Sequence, residues 1–177
     1  DPAELDRRLD AMAELLTVCH RLAERCVPAR DPARIQQLKR IRSISGPILN
    51  KAPGAARPVA VVEDAAVHPA RLSEYIAGLR GIFADFDVDS GIYGHAGDGE
   101  LHVMIMLDLE RAGDIAKLTA VADACNELVI SLKGTVSGEH GDGRLRSHWL
   151  KKQYPRLSFA FRDLKALFDP RGVLNPG

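Results

Sequence analysis

Val88-Asp89-Ser90-Gly91-Ile92-Tyr93-Gly94-His95-Ala96-Gly97-Asp98-Gly99-Glu100-Leu101-His102-Val103-Met104-Ile105-Met106-Leu107-Asp108-Leu109 holds two apolar-rich runs joined by a glycine-rich turn. Val88 to His95 and Leu101 to Leu109 predict two strands, and the short connection predicts that they pair as a hairpin. Upstream, Val59-Ala60-Val61-Val62 predicts a buried strand ending in Glu63-Asp64. Pro69 then opens a helix whose apolar face is Leu72, Tyr75, Ile76, Leu79 and Phe83. Downstream, Ile115, Leu118, Val121, Ala122, Cys125, Leu128, Val129 and Leu132 make the strongest helical stripe of the chain, stopped by Gly134. Strand, helix, strand, strand, helix is the split βαβ order. The expected fold class is therefore α+β, a ferredoxin-like antiparallel sheet with helices packed on it. A helix around Leu157 to Phe168, ended by Asp169-Pro170, adds a C-terminal helical segment, and residues 1–177 read as one domain.

Before the sheet the pattern is helical. Asp1-Pro2 is a start signal, and Leu5, Leu9, Met12, Leu16, Cys19, Ala23 and Cys26 predict one stripe on a helix of about six turns. Asp31-Pro32 repeats the signal for a shorter helix with Ile35, Leu38, Ile41 and Ile44. On a six-turn helix Cys19 and Cys26 would stand about 10 Å apart, too far for a disulfide. Buried free thiols in a reducing, cytoplasmic compartment are expected.

Composition narrows the function. Lys and Arg total 24 and Asp and Glu 24, so no net field favours nucleic acid or an anionic membrane. No apolar run approaches the roughly 20 residues of a transmembrane helix. A first residue of Asp1 rather than Met leads us to expect a piece of a longer protein.

The chemistry gathers in Gly94-His95-Ala96-Gly97-Asp98-Gly99-Glu100-Leu101-His102 and in Ser137-Gly138-Glu139-His140-Gly141-Asp142-Gly143. His95 and His102 stand at the two ends of the hairpin turn, and neutral imidazole suits Zn²⁺ and similar divalent metals. Glu139 is the best third ligand; otherwise these are polar loop residues capping strand ends. If the backbone is extended there, Glu139 and His140 point to opposite sides, one as ligand and the other as general base. Asp85, Asp87 and Asp89 mimic an EF-hand start, but Ser90 and Ala96 stand where glycine and glutamate are required. Neither glycine segment spells a dinucleotide fingerprint or a P-loop.

Those two segments, with Asp169-Pro170-Arg171-Gly172-Val173-Leu174-Asn175-Pro176-Gly177, resemble the C-terminal domain of FAD-linked oxidases. D-lactate dehydrogenases, the flavin subunit of glycolate oxidase and D-2-hydroxyglutarate dehydrogenases belong to that family. The resemblance covers residues 30–177, and the first helix more loosely. It implies a domain that binds metal and substrate in an FAD-dependent oxidoreductase, turning a D-2-hydroxy acid into a 2-oxo acid. By position, His95, His102 and Glu139 match the ligands of a divalent metal, usually zinc. His140 matches the base, Arg42 the arginine that holds the substrate carboxylate, and Asn175 a residue near the flavin. The implied partners are a small 2-hydroxy acid, an upstream FAD-binding domain, and a downstream iron–sulfur domain or electron acceptor, through which the protein would sit peripherally at a membrane. Two departures stand out: Glu100 replaces the asparagine usual before Leu-His, and Val62 stands where some members carry a lysine for a second substrate carboxylate. The rival readings are a stand-alone metal-dependent hydrolase and a non-catalytic interaction module.

Overall fold

The computed structural model describes residues 1–176, apart from the side chains of residues 42, 45 and 46. Helix α1 (Pro2–Glu14) starts where the sequence predicts: the Asp1 carboxylate accepts a hydrogen bond from the Ala3 N–H at 3.0 Å. It is shorter than six turns. The ladder widens into a π-turn over Leu15–Cys19, and Arg21 then takes the left-handed backbone with φ 51°. In that turn the Thr17 hydroxyl donates to the Ala13 carbonyl at 2.7 Å, and such back-bonding loosens a helix. Cys26 therefore lies beyond the helix. Cys19 is exposed and Cys26 half-buried, against the expectation of buried thiols, whereas Cys125 is buried and its thiol is pushed up to about 12. Helix α2 (Pro32–Ser43) is capped by Asp31, which accepts from the Arg34 N–H at 2.8 Å, and α3 (Ser45–Leu49) comes next.

The chain forms two compact units, Asp1–Ile48 and Leu49–Gly177, and the α+β architecture belongs to the second. There β1 (Arg57–Val59), β2 (Ala65–Ala66), β3 (Ser90–His95) and β4 (Glu100–Leu107) make one antiparallel sheet. Strand β4 is central, with β3 along one edge and β1 and β2 sharing the other. Thr135 adds an antiparallel bridge to Ala66. Helices α4 (Leu72–Asp85) and α5 (Ala112–Ser131) make the two crossovers. This is the expected split βαβ order, with its last strand reduced to the Thr135 bridge.

The side-chain alternation of β4 sorts core from site. Leu101, Val103, Ile105 and Leu107 are buried with Tyr75, Leu79 and Phe83 of α4 and Val121, Cys125 and Val129 of α5. Glu100 and His102 alternate with them and point to the opposite face. Helix α5 ends at Ser131; Lys133, not Gly134, takes the left-handed backbone. Gly134 answers a packing need instead, since a Cβ there would drive into the Ala66 carbonyl oxygen.

The strand predicted at residues 59–62 is interrupted. Between the Val59–Ile105 and Ala65–Leu101 pairs, residues 60–64 face residues 102–104, so two residues are extra. A bulge of this kind bends a strand and re-aims its side chains. This one ends at Asp64, whose φ is 80°.

The C-terminal segment is helical, as expected: α6 (Gly143–Arg146), α7 (Leu150–Gln153) and α8 (Ser158–Phe168). Asp169 ties down the turns beyond α8. It accepts from Lys165 Nζ at 2.6 Å and from the N–H groups of Val173 and Leu174 at 2.9 and 2.8 Å. Led by Lys165, these bonds hold its carboxyl at about 2. Among the described residues, no helix is long and apolar enough to cross a membrane.

Candidate functional site

Two imidazoles come from the hairpin. His95 ends β3 directly opposite Glu100, and His102 lies two residues beyond Glu100, so all three share the face away from the core. The chain turns between them through a short 3₁₀ segment, Ala96–Asp98, closed by Gly99 at φ 72°. A Cβ at Gly99 would strike the Val67 carbonyl oxygen, so this turn requires glycine. The His95 and His102 rings meet edge to face with centroids 5.6 Å apart.

The other half of the site is a loop with almost no regular structure, held by one carboxylate. Asp64 accepts from the Ser137 hydroxyl at 2.6 Å and from the N–H groups of Glu139 and His140 at 2.8 and 3.0 Å. The Asp64 carbonyl also accepts from the Gly138 N–H at 2.6 Å. Burial of Asp64 opposes its ionisation, but the bonds from Ser137, Glu139 and His140 outweigh that and hold its carboxyl below the ordinary range. Because the loop wraps around Asp64, it is not extended. The condition for Glu139 and His140 to point apart is therefore not met; Glu139 Oε1 lies 3.5 Å from His140 Nε2. The same oxygen lies 3.4 Å from His102 Nε2 and 3.8 Å from His95 Nε2. Three imidazoles from two distant segments thus converge on one carboxylate.

Glu63 sets the orientation of two of them. Its Oε1 lies 2.9 Å from His102 Nδ1 and 2.9 Å from His140 Nδ1. An ionised carboxylate only accepts, so a proton on each Nδ1 satisfies Glu63, and in the neutral rings each Nε2 is then free to accept on the Glu139 side. The hydrogen bond to Glu63, reinforced by the charges of Glu63, Asp64 and Glu139 and opposed by slight burial, raises the pKa of His140 above its ordinary value. Arg146, itself buried, braces the corner: it donates to the Glu63 carbonyl at 2.6 Å, to Glu63 Oε2 at 3.1 Å and to the Gly141 carbonyl at 2.8 Å. Sequence reasoning placed Glu63 and Asp64 only at a strand end and passed over Arg146. The available signal was two consecutive acids between the apolar runs Val59–Val62 and Ala65–Val67.

Glu100 is the anomaly of the site. It is 4% exposed, and neither carboxylate oxygen has an aligned side-chain donor among the described residues, although Oε1 lies 3.1 Å from His102 Nδ1. Burial pushes its carboxyl above the ordinary range, with His102 pulling the other way. His95, Glu100, His102 and Glu139 each offer a ligand atom, and all four atoms lie within 4.8 Å of one another. This donor set of two imidazoles and carboxylates suits a divalent cation. An open cavity of about 230 Å³, lined by Ala66, His95, Asp98, Glu100, Gly138 and Glu139, adjoins it.

Asn175 is not among the residues the site gathers. Asn175, at φ 47°, lines a different cavity with Gly143, Arg144, Ser147 and Lys165, sharing no lining residue with the first. Arg42 falls on α2, and its side chain is outside the described residues. Val62 is buried in the core.

Similarity to known proteins extends over the whole chain. Residues 1–177 match the family described as FAD linked oxidases, C-terminal domain. The D-2-hydroxyglutarate dehydrogenase of Haemophilus influenzae is 36% identical over 148 residues, covering 83% of this chain and 14% of that protein. The glycolate oxidase subunit GlcD of Bacillus subtilis is 33% identical over 122 residues, 68% of this chain and 26% of its own length. The D-lactate dehydrogenase of Archaeoglobus fulgidus is 34% identical over 124 residues, 70% of this chain and 27% of its own. The chain thus spans a small part of the curated relatives it matches. It belongs to the family of FAD-linked oxidase C-terminal domains.

Proposed function

We propose that this FAD-linked oxidase C-terminal domain binds substrate and metal for an FAD-dependent 2-hydroxyacid dehydrogenase, which oxidises a D-2-hydroxy acid to a 2-oxo acid with hydride transfer to flavin. The observation that carries this is the convergence of the Nε2 atoms of His95, His102 and His140 on Glu139 Oε1, at 3.8, 3.4 and 3.5 Å. His95, His102 and Glu139 would hold the divalent cation, zinc by the resemblance. His140, with its Nδ1 proton held by Glu63, offers Nε2 to take the hydroxyl proton. Glu63 favours the imidazolium that results. The cavity beside His95 and Glu139 is of a size for a small acid rather than a drug-sized ligand. Arg42 is the proposed clamp for the substrate carboxylate, for which a bidentate guanidinium is suited, and Asn175 the proposed neighbour of the flavin. When bound, the cation lowers the pKa of the substrate hydroxyl and the flavin, carried by a separate domain, accepts the hydride. A cytoplasmic location goes with this reading.

The test has two parts. Elemental mass spectrometry of the purified chain should find near-stoichiometric metal, lost in His102→Ala and in Glu139→Ala. In a longer protein carrying this domain and its flavin, anaerobic D-lactate or D-2-hydroxyglutarate should bleach the flavin, and His140→Ala should slow bleaching about 100-fold or more, the scale of general base catalysis. Unchanged bleaching in His140→Ala would overturn the reading.

A further inference from the structure

The geometry points to Glu100 as a fourth ligand of the cation, making a two-histidine, two-carboxylate centre suited to a six-coordinate metal such as Mn²⁺ or Fe²⁺ rather than to four-coordinate zinc. The inference rests on the metal site proposed above and concerns which cation it takes. Glu100 pairs across the hairpin with His95 and precedes His102 by two, so the register itself puts it on the site face. Its carboxylate is buried and, although Oε1 comes within 3.1 Å of His102 Nδ1, neither oxygen has an aligned side-chain donor among the described residues. Gly138 presses against it, since a Cβ there would come within 2.9 Å of Glu100 Cγ; the loop closes over this carboxylate rather than leaving it to water. A buried carboxylate with no aligned side-chain donor is costly unless it meets a cation. His95, His102 and Glu139 place their ligand atoms within 4.8 Å of it.

Coordination chemistry sets the consequence. Two carboxylates cancel the charge of a divalent ion, where an asparagine at this position would leave it half cancelled. Four protein ligands fill a tetrahedral zinc and leave the substrate no position. A cation that takes six ligands keeps room for both the hydroxyl and the carboxylate oxygen of a 2-hydroxy acid, and oxygen donors favour such cations.

The test uses metal-free chain titrated calorimetrically with Mn²⁺ and Zn²⁺, comparing wild type, Glu100→Gln, Glu100→Asn and Glu139→Ala. The cobalt(II) spectrum of each protein is recorded beside the titrations. Wild type should bind one Mn²⁺ and give the weak absorption of six-coordinate cobalt. Glu100→Gln and Glu100→Asn should lose at least tenfold in Mn²⁺ affinity, swing preference toward Zn²⁺, intensify the cobalt spectrum toward four-coordination, and melt higher than wild type without metal. Glu139→Ala should lose metal in either background. Unchanged Mn²⁺ affinity and cobalt spectrum in both Glu100 variants, with Glu139→Ala still lost, would overturn the fourth ligand and leave the metal site standing. No binding by well-folded wild type would overturn the metal site itself.

Discussion

The two halves of the site are built in opposite ways. His95 and His102 stand on strands β3 and β4, where six consecutive residue pairs fix their register. Glu139 and His140 stand on a loop whose place is set by Asp64, 0% exposed and reached by three donors from that loop. One half inherits its geometry from the sheet; the other leans most on a buried carboxylate 75 residues away in the chain. A regular ladder spreads positional information over many hydrogen bonds, whereas a buried polar hub concentrates it. The loop half is therefore the fragile one.

Breaking the hub should have the largest effect. Asp64→Ala strands the Ser137 hydroxyl and the Glu139 and His140 N–H groups, each worth about 1–3 kcal/mol when left unsatisfied. Urea unfolding should show a loss of about 3 kcal/mol or more. Hydrogen exchange should accelerate at Glu139 and His140 while the β3–β4 amides stay protected; equal acceleration in both halves would contradict the division. Breaking the hairpin turn comes next. Gly99→Ala places a Cβ against the Val67 carbonyl in a left-handed backbone, at a cost of about 1–3 kcal/mol in the same assay.

A gentler change tests the loop's second anchor. Gln153 accepts from the Val136 N–H at 3.0 Å and donates to Thr135 Oγ1 at 2.9 Å. Gln153→Ala should cost about 1 kcal/mol and leave the His95 and His102 NMR signals in place. The smallest effect concerns the bridge between the halves. His140 has a raised pKa in the folded chain, through its hydrogen bond to Glu63. The folded state then binds more protons than the unfolded state, so this pairing adds stability below about pH 6.5 and loses it as pH rises through the folded pKa. For metal-free protein, Glu63→Gln should bring the His140 NMR titration down toward its ordinary value and flatten that fall in stability. An unmoved titration would show that Glu63 does not bridge the two halves.

Much of this was legible in the chain because it is local. The alternation of Leu101, Val103, Ile105 and Leu107 and the spacing of Tyr75, Leu79 and Phe83 mark the faces that the fold buries. Periodicity could not say whether a partner surface lies within the chain. Helix α8 has an apolar face as clear as that of α4, yet Leu167 is 73% and Phe168 76% exposed. Nor could it foresee that Thr17 would draw on the Ala13 carbonyl and end the first helix early. Glu63 and Asp64 were hidden for another reason. They read as the polar end of a strand until two extra residues against β4 turn them into the site.

By itself, then, the sequence determined the α+β order of elements, the hairpin and most of the side chains that the candidate site gathers. Each of these depends on residue type and on spacing along the chain. The tertiary structure alone decided that Glu139 and His140 face the same way, that Glu63 orients two imidazoles at once, and that Glu100 is buried without an aligned side-chain donor. These depend on which segments meet. Segments meet through bulges, register and buried hydrogen bonds whose two ends lie far apart in the chain, so no local pattern records them.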